Sequence, residues 1–186
     1  LNERQILIWR YFVPRKYSEF FYATNREGER KPIERIFIDI DRTNLPAENS
    51  LIVTRLLVEA IEKQRDEDEE LNKILSSIAV YWTGSSFHVY CFLSEKQPPE
   101  FYEEKIQYHS KGALFRSWTD VWVREIKQEV SFKVSGGHEK KENHIVVDPS
   151  QTPSGKLGRI PLGCLHIRDF KPDGISVPLN EGMLYD

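Results

Sequence analysis

The strongest constraint on the fold of this chain is a β-hairpin in the middle of the sequence. Residues 78–82 and 86–93 are rich in β-branched and aromatic side chains, and Thr83-Gly84-Ser85 joins them as a short turn. The backbone freedom of Gly84 suits such a turn. The sequence therefore predicts two neighbouring antiparallel strands at this position.

Helices and further strands accompany the hairpin. The periodicity of apolar residues predicts four more elements: strands over 35–41 and 144–148, and helices over 51–64 and 113–129. Asn49 and Ser50 are suitable N-caps for the first helix. We interpret the acidic run 66–70 as a solvated helix end or loop, and residues 135–143 as a loop. Helices and strands mixed in this order indicate an α/β or α+β fold.

Length and composition limit the class of protein. The 186 residues suit a single domain over 1–186, and the opening Leu is consistent with an excerpt of a longer chain. Two cysteines far apart in the sequence argue against a disulfide framework, so we expect an intracellular protein of the cytoplasm or nucleoid. No apolar run reaches the roughly 18 residues of a membrane span, so no membrane partner is expected.

The charge balance excludes one mode of nucleic-acid binding. The chain has 26 Lys and Arg against 29 Asp and Glu, and its net charge is −3. Such a chain does not coat nucleic acid through bulk electrostatics. Any polyanion site must therefore be local.

Two acids end the strand predicted over 35–41. Period-two geometry places Asp39 and Asp41 on one face and the intervening isoleucines on the other. Carboxylates so close together are costly unless a cation lies between them, which favours a site for Mg²⁺ or Mn²⁺. The alternative, at least as frequent for two acids at this spacing, is a strand end whose acids face water.

The hairpin supplies a second candidate. Alternation places Ser86, His88 and Tyr90 on one face of its second strand, and the amides of the turn are suited to cradling an anion. His88 would then donate to a phosphate. The alternative is a hydrogen-bonded strand histidine, which is the commoner role of a lone His.

A third acid, Asp148, ends the strand predicted over 144–148. It would complete a three-carboxylate site, although the Asp148-Pro149 sequence also suits a simple turn. Arg159 and His166 follow and would supply donors beside the acids. Metal ligands and phosphate donors are the two halves of a nucleotide site.

The order of these residues resembles that of the archaeo-eukaryotic primase superfamily. The superfamily includes primase small subunits, plasmid primase-polymerases and the polymerase domains of bacterial end-joining ligases. Asp39 and Asp41 match its first motif. Ser86 and His88 match its Ser-x-His motif, and Asp148 matches its third motif.

Two longer segments extend the resemblance. Residues 159–166 look like the basic, Pro-containing segment that ends in Leu-His in primase small subunits, with Cys164 in place of the usual Ser. Residues 146–151 look like the Val-Asp-x-Ser-Gln stretch of the ligase polymerases. The match covers the chain from about Ile33 to Leu179.

The resemblance implies a fold and an activity. The fold would be an archaeo-eukaryotic primase-like catalytic fold, with an RRM-like mixed sheet flanked by helices. The activity would be template-directed nucleotidyl transfer, as in a DNA primase or primase-polymerase, with two divalent ions, Mg²⁺ or Mn²⁺. The site residues would be catalytic and metal-binding Asp39, Asp41 and Asp148, and nucleotide-binding Ser86, His88, Arg159 and His166.

The resemblance also implies partners. These are a single-stranded DNA template, a primer and nucleoside triphosphates, and a helical large subunit or helicase domain would complete the assembly. No zinc site is predicted, because His138 and His144 do not replace the zinc-binding cluster of many primase small subunits. Basic clusters suited to template contact, or to ordinary surface basicity, comprise Arg10, Tyr11, Arg15, Lys16, Arg26, Arg30, Lys31, Lys140 and Lys141.

Two rival functions remain open at this point. The first is a non-catalytic, primase-like accessory subunit that binds nucleic acid through a vestigial site. The second is a metal-dependent glycosyltransferase that uses Asp39 and Asp41 on a sugar nucleotide. The glycosyltransferase would leave Asp148 and residues 159–166 without a role.

Overall fold

The structure is a computed structural model that describes residues 3 and 6, 21–109, 117–159, 165–168 and 171–185, with the backbone alone at 21–22, 165–168 and 171–173. In this part of the chain the elements follow in this order: β1 (Phe21–Ala23), β2 (Ile33–Asp41), α1 (Ala47–Glu67), α2 (Glu69–Ile74), β3 (Leu75–Trp82), β4 (Phe87–Gln97), a π-helical turn (Tyr102–Ile106), α3 (Trp118–Glu129), β5 (Lys133–Gly136), β6 (His144–Asp148), β7 (Leu157–Arg159), β8 (Leu165–Arg168), β9 (Lys171–Ile175), β10 (Val177–Leu179) and α4 (Glu181–Tyr185).

A mixed sheet forms the centre of the described chain. Its six strands lie in the order β10-β3-β4-β2-β6-β5, and all neighbours are antiparallel except β5 and β6. Two small sheets, β1–β7 and β8–β9, complete the described strands. The α/β fold class, the hairpin and the strands expected around 35–41 and 144–148 are confirmed.

The hydrophobic core lies between one face of this sheet and the helices. Ile36, Ile38 and Ile40 of β2 are fully buried there, and α1 packs against β2, β4 and β6. Each fully buried isoleucine contributes about 1.5–3 kcal/mol relative to an exposed one. A one-residue slip of β2 would turn these side chains to the other face, so their burial fixes the register of the strand.

The start of α1 differs from the prediction. The helix begins at Ala47 and not at residue 51, and Pro46 occupies its N-cap position. The predicted cap Ser50 is instead buried within the first turn, where its Oγ donates to the carbonyl of Ala47 at 2.7 Å. Pro is well suited to a helix start because it has no N–H to leave unpaired and its φ is already helical.

The remaining boundaries agree with the prediction only in part. The acidic run is a mostly exposed helix end, as predicted, but Asp68 also caps α2 by accepting from the amides of Glu70 and Leu71. Ser135 and Gly136 belong to β5 and not to a loop, since they pair in parallel with β6. The second predicted helix is confirmed as α3 from Trp118 onward, and its residues 113–116 lie outside the described residues.

The described helices can be compared with the requirements of a membrane span. Within the described residues, no helix combines the length and the apolar character needed to cross a bilayer.

Candidate active site

Three acids meet on the face of the sheet opposite the helices. Asp39 of β2 lies directly opposite Asp148 of β6 and opposite His88 of β4. Asp41 follows two residues later, so it shares the same face. The central position of β2 therefore brings together the acid pair, the histidine of the hairpin and the third acid.

A basic or imidazole side chain neighbours each carboxylate. Nε2 of His88 lies 3.4 Å from Oδ1 of Asp39. Nζ of Lys140 lies 3.1 Å from Oδ1 of Asp41.

The third acid has a neighbour from the same segment as Lys140. Nδ1 of His138 lies 3.1 Å from Oδ2 of Asp148, and both His138 and Lys140 lie between β5 and β6. From the sequence, His138 was weighed as a zinc ligand, and Lys140 as a template contact or an ordinary surface lysine. Their pairing with the site carboxylates was not predicted.

The electrostatics of the two β2 acids differ. Burial raises the pKa of Asp39, but attraction to His88 and Arg159 outweighs burial and leaves the pKa below its ordinary value. Burial and the negative charge of Asp39 raise the pKa of Asp41, and Lys140 opposes that rise only in part. The ionised form of Asp41 is therefore less favourable in the folded protein than in water, whereas that of Asp39 is more favourable.

The end of β6 is held against β2 by side chains. Oδ1 of Asp148 accepts from the amide of Ser150 at 2.8 Å, which forms the turn that the Asp-Pro sequence predicts. The buried Oγ1 of Thr152 accepts from the amide of Phe37 at 3.0 Å and donates to its carbonyl at 2.9 Å. Asp148 is thus both the start of a turn and a member of the site face.

A cavity of about 310 Å³ lies beside the acids. Its walls include Asp39, Asp41, His88, Lys140, Gln151 and Arg159. A second cavity of about 370 Å³ adjoins it and shares Asp41 and Lys140 with it. Asp148 is almost fully buried and, in the described part of the chain, does not line either of these cavities.

Ser86 lines both cavities, but its hydroxyl and its amide are engaged within the protein. The Oγ of Ser86 donates to the carbonyl of Ile40, and its amide donates to Oγ1 of Thr83 at 3.1 Å. The first bond ties the hairpin to β2, and the second closes the hairpin turn. His88 also lines the first cavity, and its Nδ1 has no hydrogen-bond partner within the described residues.

Strand β7 brings Arg159 to the cavity. A Cβ on Gly158 would lie 3.0 Å from the hydroxyl of Tyr90, so the glycine allows β7 to lie close over β4. Tyr90 in turn donates to the carbonyl of Arg159 at 3.4 Å. Alternation directs Arg159 away from this contact and into the wall of the cavity.

Strand β9, which pairs with the strand of His166, lies against the hairpin turn. His166 pairs with Gly174 in the β8–β9 sheet, and a Cβ on Gly174 would lie only 2.6 Å from the Cα of Gly84. The backbone of His166 is therefore one strand away from the turn of the site. Residues 160–164 of the predicted segment lie outside the described residues.

Of the predicted template contacts that the structure describes, Lys140 alone lines the two cavities beside the acids. Arg26 pairs with Glu34 at 2.5 Å, and Arg30 pairs with Glu100 at 2.9 Å, so both are engaged at the surface. The N-terminal cluster lies outside the described residues and comprises Arg10, Tyr11, Arg15 and Lys16.

The donor set suits a hard divalent cation. Asp39, Asp41 and Asp148 offer carboxylate oxygens from neighbouring strands, which is the ligand chemistry of Mg²⁺ and Mn²⁺. In the described part of the chain, however, no three His, Cys, Asp or Glu side chains are arranged as a ready metal site. The carboxylates would have to turn from Lys140 and His138 toward a shared ion.

Comparison with known proteins supports the fold. Neither protein-family models nor curated protein sequences yield a match to this chain. Among solved structures, the chain is similar to the polymerase domain of ligase D from Mycobacterium tuberculosis in complex with DNA, with a TM-score of 0.55 and 20% sequence identity. The similarity covers 89% of this chain and 51% of that chain, so this chain spans about half the length of its structural neighbour. The shared feature is the fold of the mixed sheet and its helices.

Proposed function

We propose that this chain is a metal-dependent nucleotidyltransferase of the primase-polymerase type, which joins nucleoside triphosphates on a single-stranded DNA template. One observation carries the proposal. Three carboxylates from neighbouring strands share a face beside a cavity that Arg159 and His88 also line. The similar fold of a polymerase domain whose structure contains DNA gives this arrangement its context.

The residues divide into two roles. Asp39, Asp41 and Asp148 would hold Mg²⁺ or Mn²⁺, and the bound ions would activate the attacking hydroxyl and stabilise the departing pyrophosphate. Arg159 would donate to the free oxygens of the triphosphate, since a guanidinium matches phosphate geometry. His88 adds a donor at the floor of the cavity.

Positioning accounts for the rest of the chemistry. In phosphoryl transfer the enzyme has little covalent work to do, so orientation and charge stabilisation supply most of the rate. Asp39 is fixed between two paired strands, and the Ser150 and Thr152 contacts fix the turn that follows Asp148. Ser86 would act indirectly, by holding the hairpin turn against β2.

A second candidate is a non-catalytic accessory subunit that binds nucleic acid. The observation in its favour is that Asp41 and Asp148 already have side-chain partners, Lys140 and His138, at 3.1 Å. A binding site of that kind would need no metal for its function. The two candidates differ in whether divalent ions support incorporation.

The experiment is nucleotide incorporation on single-stranded DNA, with and without a primer, with Mg²⁺ or Mn²⁺ and with ribo- or deoxyribonucleotides. Asp39→Asn and Asp148→Asn should each lower incorporation by at least about 10²- to 10³-fold, because each removes a charge from the transition-state environment. Glu139→Gln is the control, since Glu139 is exposed and makes no hydrogen bond or ion pair among the described residues. Incorporation at the wild-type rate by folded Asp39→Asn or Asp148→Asn protein would refute the proposal.

A further inference from the structure

A single loop supplies the neighbours of two site carboxylates. Residues 137–143, the counterion loop, connect the parallel strands β5 and β6. Its Lys140 lies 3.1 Å from Asp41, and its His138 lies 3.1 Å from Asp148. One short segment outside the sheet therefore supplies the ammonium that faces Asp41 and the imidazole that contacts Asp148.

These two contacts are made by exposed side chains. The side chain of Lys140 is 67% exposed and that of His138 is 75% exposed, whereas their carboxylate partners are 25% and 6% exposed. An ion pair such as that of Lys140 and Asp41, in which the ammonium is mostly exposed, contributes about 0.2–1 kcal/mol, because water screens it and ordering a long side chain costs entropy. The acids are fixed in the sheet, and their counterions are the exchangeable partners.

The N-terminal end of the loop is anchored by backbone contacts. The amide of Gly137 donates to the carbonyl of Val147 at 3.0 Å, and φ of Gly137 is +89°. A Cβ on Gly136 would overlap the ring of Tyr108, which covers this end of the loop. The loop therefore leaves β5 at a fixed place.

The C-terminal end is anchored by side chains from the β2–α1 connection. Nδ2 of Asn44 donates to Oδ1 of Asn143, and the amide of Asn143 donates to Oδ1 of Asn44, each at 2.9 Å. Thr43 donates to the carbonyl of His144 at 3.0 Å. Thr43 and Asn143 both have positive φ values, 47° and 58°, and strain of this kind persists only where the surrounding contacts enforce it.

With both ends fixed, the middle of the loop keeps its basic groups at the acids. Lys140 also lines both adjoining cavities, so its ammonium has space to leave Asp41 without moving the anchors. The ammonium of Lys140 already lies 3.1 Å from Oδ1 of Asp41, and it would repel a divalent cation bound at the same carboxylate. Metal binding and the Lys140 contact therefore oppose each other.

We propose that the counterion loop competes with divalent cations: Lys140 neutralises Asp41 and His138 occupies Oδ2 of Asp148 until metal binding displaces them. The inference rests on the proposed function, because it takes the three acids as the metal site. It assigns Lys140 and His138 as positioning residues that keep the acids stable when no metal is bound. The released ammonium of Lys140 then lies at the wall of the cavity proposed for the triphosphate.

The test is Mn²⁺ binding by isothermal titration at about 0.15 M salt, where the Debye length of about 8 Å limits effects from distant charges. Lys140→Met should bind Mn²⁺ about two- to fivefold more tightly than the wild type. This factor is the free energy of an exposed ion pair expressed as a ratio of dissociation constants. Lys140→Arg should keep the wild-type affinity. Lys141→Met is the matched control, because Lys141 lies in the same loop and makes no ion pair among the described residues.

A second measurement, thermal unfolding with and without metal, tests the same contact through the stability of the fold. In the presence of EDTA, Lys140→Met should melt at a lower temperature than the wild type, and Mn²⁺ should raise its melting temperature by more. The double variant His138→Gln with Lys140→Met should show both effects more strongly. The folded fraction of each variant is checked by circular dichroism, and Lys140→Gln replaces Lys140→Met where the latter does not fold.

The outcomes separate this inference from the proposed function. Mn²⁺ binding that Asp39→Asn abolishes, with equal affinity in the wild type and Lys140→Met, would overturn the counterion loop and leave the metal site in place. Mn²⁺ binding that is absent from both proteins, or unaffected by Asp39→Asn, would overturn both. Tighter binding by Lys140→Met together with no nucleotide incorporation would support the loop and refute the nucleotidyltransferase.

Discussion

Replacing Thr152 by Val tests whether one hydroxyl group holds the turn after Asp148 against β2. Thr152 is fully buried, and its Oγ1 makes hydrogen bonds of 3.0 and 2.9 Å with the amide and the carbonyl of Phe37, which is itself buried. Val has nearly the same shape as Thr. The substitution therefore removes two hydrogen bonds and leaves almost no cavity.

The magnitude follows from the groups left behind. A buried backbone group without a partner costs about 1–3 kcal/mol, so two groups should lower the free energy of unfolding by about 2–6 kcal/mol. Thr152→Ser keeps the hydroxyl and loses one methyl group, which costs about 0.8 kcal/mol. The difference between the two variants isolates the hydrogen bonds from the packing.

The assay is equilibrium urea unfolding in EDTA, followed by circular dichroism and tryptophan fluorescence. Thr119→Val is a matched control, because Thr119 is equally buried and its Oγ1 has no hydrogen-bond partner among the described residues. That variant should be neutral or slightly stabilised. The reasoning is refuted if Thr152→Val lies within about 0.5 kcal/mol of the wild type, or if Thr152→Ser loses as much.

Two further perturbations act directly on the site. The pKa of Asp41 is higher in the folded protein than in the unfolded chain, so ionised Asp41 lowers the free energy of unfolding at neutral pH. This loss of stability disappears as the pH falls below the pKa of Asp41 in the unfolded chain. Asp41→Asn should therefore raise the free energy of urea unfolding in EDTA at neutral pH, with a gain that shrinks in acid, and a loss of stability at neutral pH would contradict this sign. Gly174→Ala should separate β8–β9 from the hairpin turn, because the new Cβ would lie 2.6 Å from the Cα of Gly84. Titration should then show weaker nucleotide binding with Mn²⁺ affinity retained, and unchanged nucleotide affinity would argue against a role for the strand of His166.

The strands of the site were predictable because burial determines them. Ile36, Ile38 and Ile40 can be buried together only if Asp39 and Asp41 share the opposite face. The alternation of apolar and acidic residues in the sequence therefore predicts which face carries the acids. The same reasoning holds for the hairpin, whose second strand turns His88 to the acids. The helix start was less predictable, since Asn49, Ser50 and the Pro46 position all suit an N-terminus.

The neighbours of the acids were not predictable from local sequence. Lys140 reaches Asp41 because β5 and β6 pair in parallel, and a parallel pairing between short strands has no turn signal in the sequence. The assignment of Ser86 shows the same limit. Alternation gives the face of a side chain but not its partner, and the hydroxyl of Ser86 is taken by the carbonyl of Ile40.

The net negative charge of the chain comes from helices α1 and α2 and not from the site. Residues 47–74 contain eight of the 29 acidic residues and four of the 26 basic residues, so the remainder has 21 acidic and 22 basic residues. These helices pack on the face of the sheet opposite the carboxylates, and most of their acidic side chains are exposed to solvent. Salt screens exposed charges, so the negative charge of the helices has little effect on the cavity. What the cavity binds depends on the charges that line it, which are those of Lys140 and Arg159 against those of Asp39 and Asp41. A divalent ion that replaces Lys140 at the acids would add positive charge to the cavity and favour the binding of a phosphate.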